Sequence, residues 1–414
     1  MSGTVLVRGA RQLLTLHGPA EPRRGAALAE LGIIRDGALV IEDGRIAQVG
    51  LSRRVDSLAL RHVSQEIDAT GHVVMPGFVD CHAHLVCAAG WPEDSEARIS
   101  AAPNVQALRN ASAKRLESRA RQLANAMIRH GTATLEAKSG YGLDARGELK
   151  LLRVQARLDR TPLDIASTFL TPRCIPAAHA GDPAGYMSWI CSELLPAISR
   201  RGFARFAGLR CGEQAFNMEQ SRRYLEAARV LGFQLKIHAG PDQAHEAVRL
   251  GVEVGAVSVD RLDSAEQADV DLLARSNTMA VLLPGGAFQR GLEDDNGRCP
   301  PARRLIDGGV AVALGTNFNP RARSTCSMQT VVAFACEYLG MSPAEAICAA
   351  TFNAACAIGS GRLAGSLEVG KAADLIVLNA SDYREIPCHF GVNLVNRTVK
   401  RGVTVYQEGK VAAG

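Results

Sequence analysis

The chain has 414 residues, of which 47% are hydrophobic and 21% charged, with a net charge of +5. This composition excludes a disordered or fibrous chain, and the length calls for either a large α/β barrel with an appendage or two ordinary domains. The arginine pairs Arg200-Arg201, Arg222-Arg223 and Arg303-Arg304 stand far apart without interleaved aromatic residues, so they read as solvated helix faces and no nucleic-acid partner is expected.

At the start, Met1 to Thr15 mixes Arg8 and Arg11 with short apolar runs, and no later stretch reaches membrane-spanning length. Neither a secretion signal nor a membrane partner is therefore expected. Eleven cysteines lack the paired spacing of a disulfide framework, which fits a reducing compartment and a cytoplasmic location. Next, Ala38-Leu39-Val40-Ile41 and Arg45-Ile46-Ala47-Gln48-Val49 flank Asp43-Gly44, a hairpin signal because such a turn needs positive φ. At the far end, Ala373 to Leu378 and Val403 to Tyr406 repeat the pattern before a turn at Glu408-Gly409. One small sheet built from both ends is the simplest expectation.

Between these ends, short β-branched runs alternate with helical stretches in about eight units, the number that closes a parallel (β/α)8 TIM barrel. The strands are expected to end near His82, Lys138, Leu170, Cys211, His238, Val259, Pro284 and Gly315. Helices are expected over Ala113–His130, Gly147–Arg160, Met218–Gly232 and Ser327–Gly340, the last capped by Ser327. A doubly wound open sheet is the alternative, but no phosphate-binding glycine fingerprint follows its first strand. The fold class is thus α/β, with barrel residues 75–365 and a composite β-sandwich from 1–74 and 366–414.

In such a barrel the chemically capable residues belong at the C-terminal strand ends. The first strand stops in Asp80-Cys81-His82-Ala83-His84, and alternate strand residues share a face, so His82 and His84 aim two imidazoles at one point, as a divalent ion requires. His238 ends the fifth strand and can join them. His179, His245 and His389 read as packing or surface residues, and Cys81, Cys87 and Cys174 as small fillers rather than thiolates.

The run Pro76-Gly77-Phe78-Val79-Asp80-Cys81-His82-Ala83-His84 resembles the metal-binding opening of the metal-dependent amidohydrolase superfamily. Lys138-Ser139-Gly140-Tyr141-Gly142-Leu143-Asp144, with Glu148 to Val154 after it, resembles the imidazolonepropionase family in particular. Glu219 to Arg223, Ala280 to Gly285, Phe318-Asn319-Pro320, Gly365 to Lys371 and Phe390 to Leu394 extend the likeness, which runs from about Val74 to the C-terminus. The resemblance implies one zinc or iron ion held by His82, His84, His238 and a residue at position 317. It also implies Tyr141 and Asn319 as ligand contacts, and hydrolysis of a cyclic amide in histidine degradation, from 4-imidazolone-5-propanoate to N-formimino-glutamate. Relatives in this family are often dimers, so a homodimer is implied by analogy.

Several positions depart from the family pattern. Asn317 stands where an Asp is expected as metal ligand and base; its amide can offer a neutral carbonyl oxygen but cannot take a proton, and with the Asp charge lost metal affinity should fall. Arg261 follows Asp260 where a His is expected and should repel a cation. Arg173 replaces another ligand-contacting His, Trp91 aligns with a carboxylate-binding Arg, and Ala239-Gly240-Pro241 follows His238. Two readings follow. In the first, the chain hydrolyses a related cyclic amide or imidazolone-like small molecule, with Glu213 or Asp260 as replacement base and Arg173, Arg261 or Arg321 gripping an anionic substrate. In the second, it is a catalytically impaired homologue that keeps a ligand-binding barrel for a regulatory or structural role.

Overall fold

The computed structural model describes residues 3–59, 63–86, 107–172, 175–211, 216–240, 243–285, 301–319 and 325–409. Eight parallel strands run in sequence order around one sheet: β1 (Phe78–Ala83), β2 (Thr132–Lys138), β3 (Asp164–Leu170), β4 (Phe206–Cys211), β5 (Gln234–Ala239), β6 (Ser258–Asp260), β7 (Met279–Leu282) and β8 (Val312–Leu314). A parallel bridge from Ala83 to Phe318, just past β8, brings the last strand back to the first. That closure removes the free edges a doubly wound sheet would keep. Every expected strand end falls within two residues of its place.

Helices cover the outside, among them α1 (Ala113–Arg129), α2 (Ala145–Leu158), α3 (Met218–Val230), α4 (Ala244–Val254), α5 (Gln267–Ala274), α6 (Ala302–Asp307) and α7 (Met328–Leu339). Their starts follow local chemistry: Ser112, Asp144 and Ser327 each accept a backbone N–H of the first turn of α1, α2 and α7, and Asn217 with Gln220 forms a capping box on α3. The apolar faces of the helices and strands merge into one large core around the barrel. Among the described residues no helix is long and apolar enough to cross a membrane.

The chain ends form two sheets rather than the single one expected. The first, in the order Arg45–Leu51, Gly37–Glu42, Thr4–Ala10, Val63–Asp68, is N-terminal only. The second joins both ends: Val403–Gln407, Val395–Lys400, Leu375–Leu378, Val73–Pro76, Gln12–Leu14, Ile33–Ile34. The chain crosses between them where the register of Thr4–Ala10 shifts after Val7 and Gly9 takes φ 73°, so one extended stretch serves both sheets. Val5, Val7, Leu39, Ile41, Val74, Leu375 and Val377 pack between them as a sandwich core. The hairpin at Asp43-Gly44 forms as expected, with φ 50° and 73°.

Candidate active site

At the C-terminal mouth of the barrel, His82, His84 and His238 converge. All three are buried, with ring centroids 5.8 Å apart for His82–His84 and 5.1 Å for His82–His238. Burial holds each imidazole neutral: it takes His82 down to about 4, with Lys138 adding to the effect, and takes His84 and His238 well below the usual range, with Arg210 adding to both. His82 Nε2, His84 Nδ1 and His238 Nδ1 have no hydrogen-bond partner. Buried, neutral imidazole nitrogens without partners are what a divalent-ion site offers; His82 and His238 stand close enough to share one ion, whereas His84 is not in the set whose donor atoms lie within 4.8 Å of one another.

The orientation of His82 has a visible cause. Its Nδ1 lies 2.7 Å from Asp260 Oδ2, and because the ring is neutral and the carboxylate ionised, Nδ1 is the donor. Asp260 is fully buried and also accepts from Ser258 Oγ at 2.7 Å and pairs with Lys138 Nζ at 3.1 Å. Burial alone would raise its pKa, but Lys138 and Lys236 hold it well below the ordinary carboxylate range. Lys138 donates to Glu136 at 2.6 Å, Glu136 accepts from Lys236 at 2.7 Å and from Thr168 Oγ1 at 2.5 Å, and burial of the Lys138 ammonium is outweighed by Asp260 and Glu136. One donor atom from each of His82, His238 and Asp260 falls within 4.8 Å of the others.

Asp80 ties the first strand to the end of the last. Its carboxylate accepts from Thr316 N at 3.0 Å, Thr316 Oγ1 at 2.5 Å and His82 N at 3.2 Å, while burial pushes its pKa up to about 6. Gly315 permits this approach, since a Cβ there would lie 2.9 Å from His82 Cβ. Asn317 follows, half-buried, with φ 53° and its N–H donated to His82 O at 2.9 Å; that left-handed backbone is one Asn tolerates.

The Ser-Gly-Tyr-Gly loop presents Tyr141 edge-on to His84 at 5.3 Å. Its hydroxyl accepts from Asn319 Nδ2 at 3.2 Å, so two of the residues nominated as ligand contacts meet beside one imidazole. Glu148, buried in α2, reaches back to accept from Gly140 N at 3.1 Å and Gly142 N at 2.6 Å. Gly142 is required there, because a Cβ would lie 2.2 Å from Glu148 N. Arg261, with φ 63°, sits near His238 and donates from Nε to Asp263 at 3.1 Å. The expected repulsion of a cation by Arg261 is therefore weakened by a carboxylate that pairs with it.

Trp91, Arg173, Glu213 and Arg321, and the cysteines Cys87 and Cys174, lie outside the described residues. Cys81 packs in the wall, its Sγ donating to Leu314 O at 3.1 Å. His179 packs tilted against Tyr186 at 4.8 Å, His245 meets Asp269 at 2.8 Å and His389 faces Glu385 at 3.6 Å, so each has a partner outside the imidazole cluster. Four interior residues escaped the motif-based reading: Glu136, Lys138, Lys236 and Arg210. The signal was present as alternation. Thr134, Glu136 and Lys138 occupy every second position of β2, Lys236 and His238 do so on β5, and Ser258 and Asp260 on β6, which marks a polar face turned into the barrel.

These features define a parallel α/β barrel with a candidate metal site at its mouth, and comparison with known proteins shows its family. The amidohydrolase family model matches residues 73–411, and the chain belongs to that family. Within it the type is imidazolonepropionase. The imidazolonepropionase of Geobacillus kaustophilus is 40% identical across 98% of this chain and 99% of its own, and that of Brevibacillus brevis is 38% identical across the whole of both. Among solved structures, Aspergillus niger ochratoxinase superposes with a TM-score of 0.75 at 19% identity, covering 99% of this chain and 96% of its own. Escherichia coli guanine deaminase gives 0.71 at 16% identity, covering 98% and 99%. At those identities the likeness speaks for the fold alone.

Proposed function

We propose that this protein hydrolyses a carbon–nitrogen bond in a cyclic amide of the imidazolone type, with His82, His84 and His238 holding one divalent ion, zinc or iron, and Asn317 offering a neutral amide oxygen beside them. The observation that carries the proposal is the trio of buried, neutral, partnerless imidazole nitrogens at strand ends. Bound there, a divalent ion would supply Lewis acidity and an acidified water at neutral pH.

The chain's own residues would do the rest. Asp260 fixes the tautomer and ring angle of His82 through Nδ1, and Lys138 keeps Asp260 ionised. Asp260 thereby loses the role of general base considered from its chain position: a buried carboxylate with both oxygens engaged and a pKa far below neutrality takes no proton at pH 7. Glu213, which follows β4, is the base we assign in its place. Tyr141 and Asn319, already hydrogen-bonded to each other, would orient the substrate ring against the His84 side. Arg261 is the proposed contact for an anionic substrate group, with Trp91, Arg173 and Arg321 as further contacts on sequence grounds. We further propose that residues 75–365 act as the catalytic barrel and 1–74 with 366–414 as its β-sandwich support.

One feature favours the second reading, an impaired homologue: position 317 carries an amide, so the proton acceptor normally expected there is lost. Metal analysis of untagged protein, paired with turnover of imidazolonepropionate and a panel of hydantoins and cyclic ureas, separates the two. Zinc or iron approaching one equivalent, lost in His238→Ala, with turnover of any panel member supports the hydrolase. Metal without turnover supports the binding barrel, and protein that takes up no metal from supplemented medium overturns both the ligand assignment and the hydrolase.

A further inference from the structure

At the opposite, N-terminal end of the barrel lies a cleft of about 530 Å³, between the first halves of β2 and β3 and the two hairpin turns at Asp43-Gly44 and Arg401-Gly402. Four arginines border it: Arg45, Arg160, Arg205 and Arg401. Arg401 is matched by Asp164, which also accepts from Lys400 at 2.7 Å. Among the described residues Arg45 and Arg205 have no carboxylate within ion-pair distance, and Arg160 has only a long pair with Asp159. Arg205 donates to Gln234 Oε1 at 3.1 Å and Gly359 O at 3.0 Å, and Arg45 donates to Gly370 O at 2.7 Å. Arg160 stands 3.9 Å from Asp159, whose Oδ1 already accepts from Ile165 N at 2.8 Å. The remaining carboxylate, Asp43, sits exposed at its turn.

Two of these arginines occupy backbone positions that suit glycine. Arg160, just past the end of α2, has φ 61°, and Arg401 has φ 46°. An L-residue is strained in that region, and strain retained where side chains line a cleft points to use. The head of Arg205 is likewise given room by a glycine: a Cβ at Gly359 would lie 2.3 Å from its Nη2.

We propose that this cleft is a second ligand site, for a small anion carrying a phosphate or carboxylate group, with Arg45, Arg160 and Arg205 as its donors. Its volume suits a small molecule rather than a polymer, and the Arg45 and Arg205 guanidinium groups, whose hydrogen bonds end on neutral oxygens, gain most from an anion, with Arg160 only loosely held by Asp159 beside them. The site is independent of the mouth and of the hydrolase reading.

Calorimetric titration of the full chain at low ionic strength with inorganic phosphate, and separately with succinate, tests it. Saturable binding of either probe at one site per chain is expected, and which probe binds identifies the anion class. The Arg160→Gly/Arg205→Gln variant should weaken that binding roughly ten-fold or more, whereas His238→Ala at the mouth should leave it unchanged. Arg160→Gly alone should raise the unfolding midpoint of anion-free protein while lowering affinity, a split that loss of folding cannot mimic. Saturation by neither probe, or binding lost in His238→Ala and kept in the double arginine variant, overturns the proposal.

Discussion

The interior charge quartet gives a quantitative test of how the His82 side of the mouth is held. Two ammonium groups, Lys138 and Lys236, face two carboxylates, Glu136 and Asp260, through contacts of 2.6, 2.7 and 3.1 Å, all fully buried. Asp260→Asn removes one negative charge. Lys138 is then left with Glu136, which already serves Lys236 and Thr168, and the new amide points at least one N–H toward existing donors. Breaking one member of a buried pair costs about 3–5 kcal/mol. Lys138→Met should cost a similar ~3–5 kcal/mol by stranding Asp260. The double variant Asp260→Asn/Lys138→Met restores neutrality and leaves the Glu136–Lys236 pair intact, so its cost should fall at least ~3 kcal/mol short of the sum of the singles. Urea unfolding of metal-free protein, followed by far-ultraviolet circular dichroism, supplies all four corners of the cycle. Costs that add to within about 0.5 kcal/mol would show that Lys138 and Asp260 do not act as one unit, and the reasoning about His82 would fail with them.

Two further outcomes are expected. Acid should destabilise the metal-free protein early: with native pKa values below the unfolded value near 6.5, His82, His84 and His238 contribute stability that is present above that pH and is lost as pH falls toward about 4. Each contributes ~1.4 kcal/mol per pH unit. Asp80 acts in the opposite sense, because its native value near 6 lets the folded form gain a proton first, but three imidazoles outweigh one carboxyl, so a net fall in stability is expected between pH 6 and 4; urea midpoints that stay flat over this range would contradict the burial assigned to the imidazoles. Glu148→Gln should cost ~1–3 kcal/mol, since one amide oxygen replaces two carboxylate oxygens that accept from Gly140 N and Gly142 N, and substrate KM should rise more than kcat falls as Tyr141 loses its fixed place. Unchanged stability would mean that the loop is held by other contacts.

The barrel was legible because each of its strands ends in a chemical break that simple patterning detects: His82 and His84 after an apolar run, Lys138 before Ser-Gly-Tyr-Gly, Gly315 before Thr316. Periodicity also located the helices, Ser327 marking the start of one, and in the structure Ser112, Asp144 and Asn217 prove to cap three others locally. What escaped were properties of neighbours across the sheet. Alternation marks a polar inner face on these strands but does not say that three of them bring Glu136, Lys138, Lys236 and Asp260 within hydrogen-bond distance, and a lysine in a strand is ordinarily read as solvent-facing. Arg210 was passed over for the same reason, although it is buried beside His84 and His238. The division of the chain ends into two sheets depends on a register shift at Gly9, a feature of backbone geometry rather than of side-chain pattern.

The electrostatics of the mouth bear on how Asn317, where the family resemblance implies an Asp, would be tolerated as a ligand on the proposed reading. The quartet beneath His82 is balanced, Arg261 has Asp263, and the three imidazoles are neutral. An ion held by such a set would keep most of its charge, since only Asp260, acting through His82, lends it anionic character. On the proposed reading this costs affinity but strengthens the pull of the ion on the electrons of a bound carbonyl, so the loss falls more on metal retention than on polarisation of substrate. Introducing the carboxylate with Asn317→Asp should then tighten metal binding before it changes any turnover, because on the proposed reading Arg261 would still stand where the family resemblance implies a His.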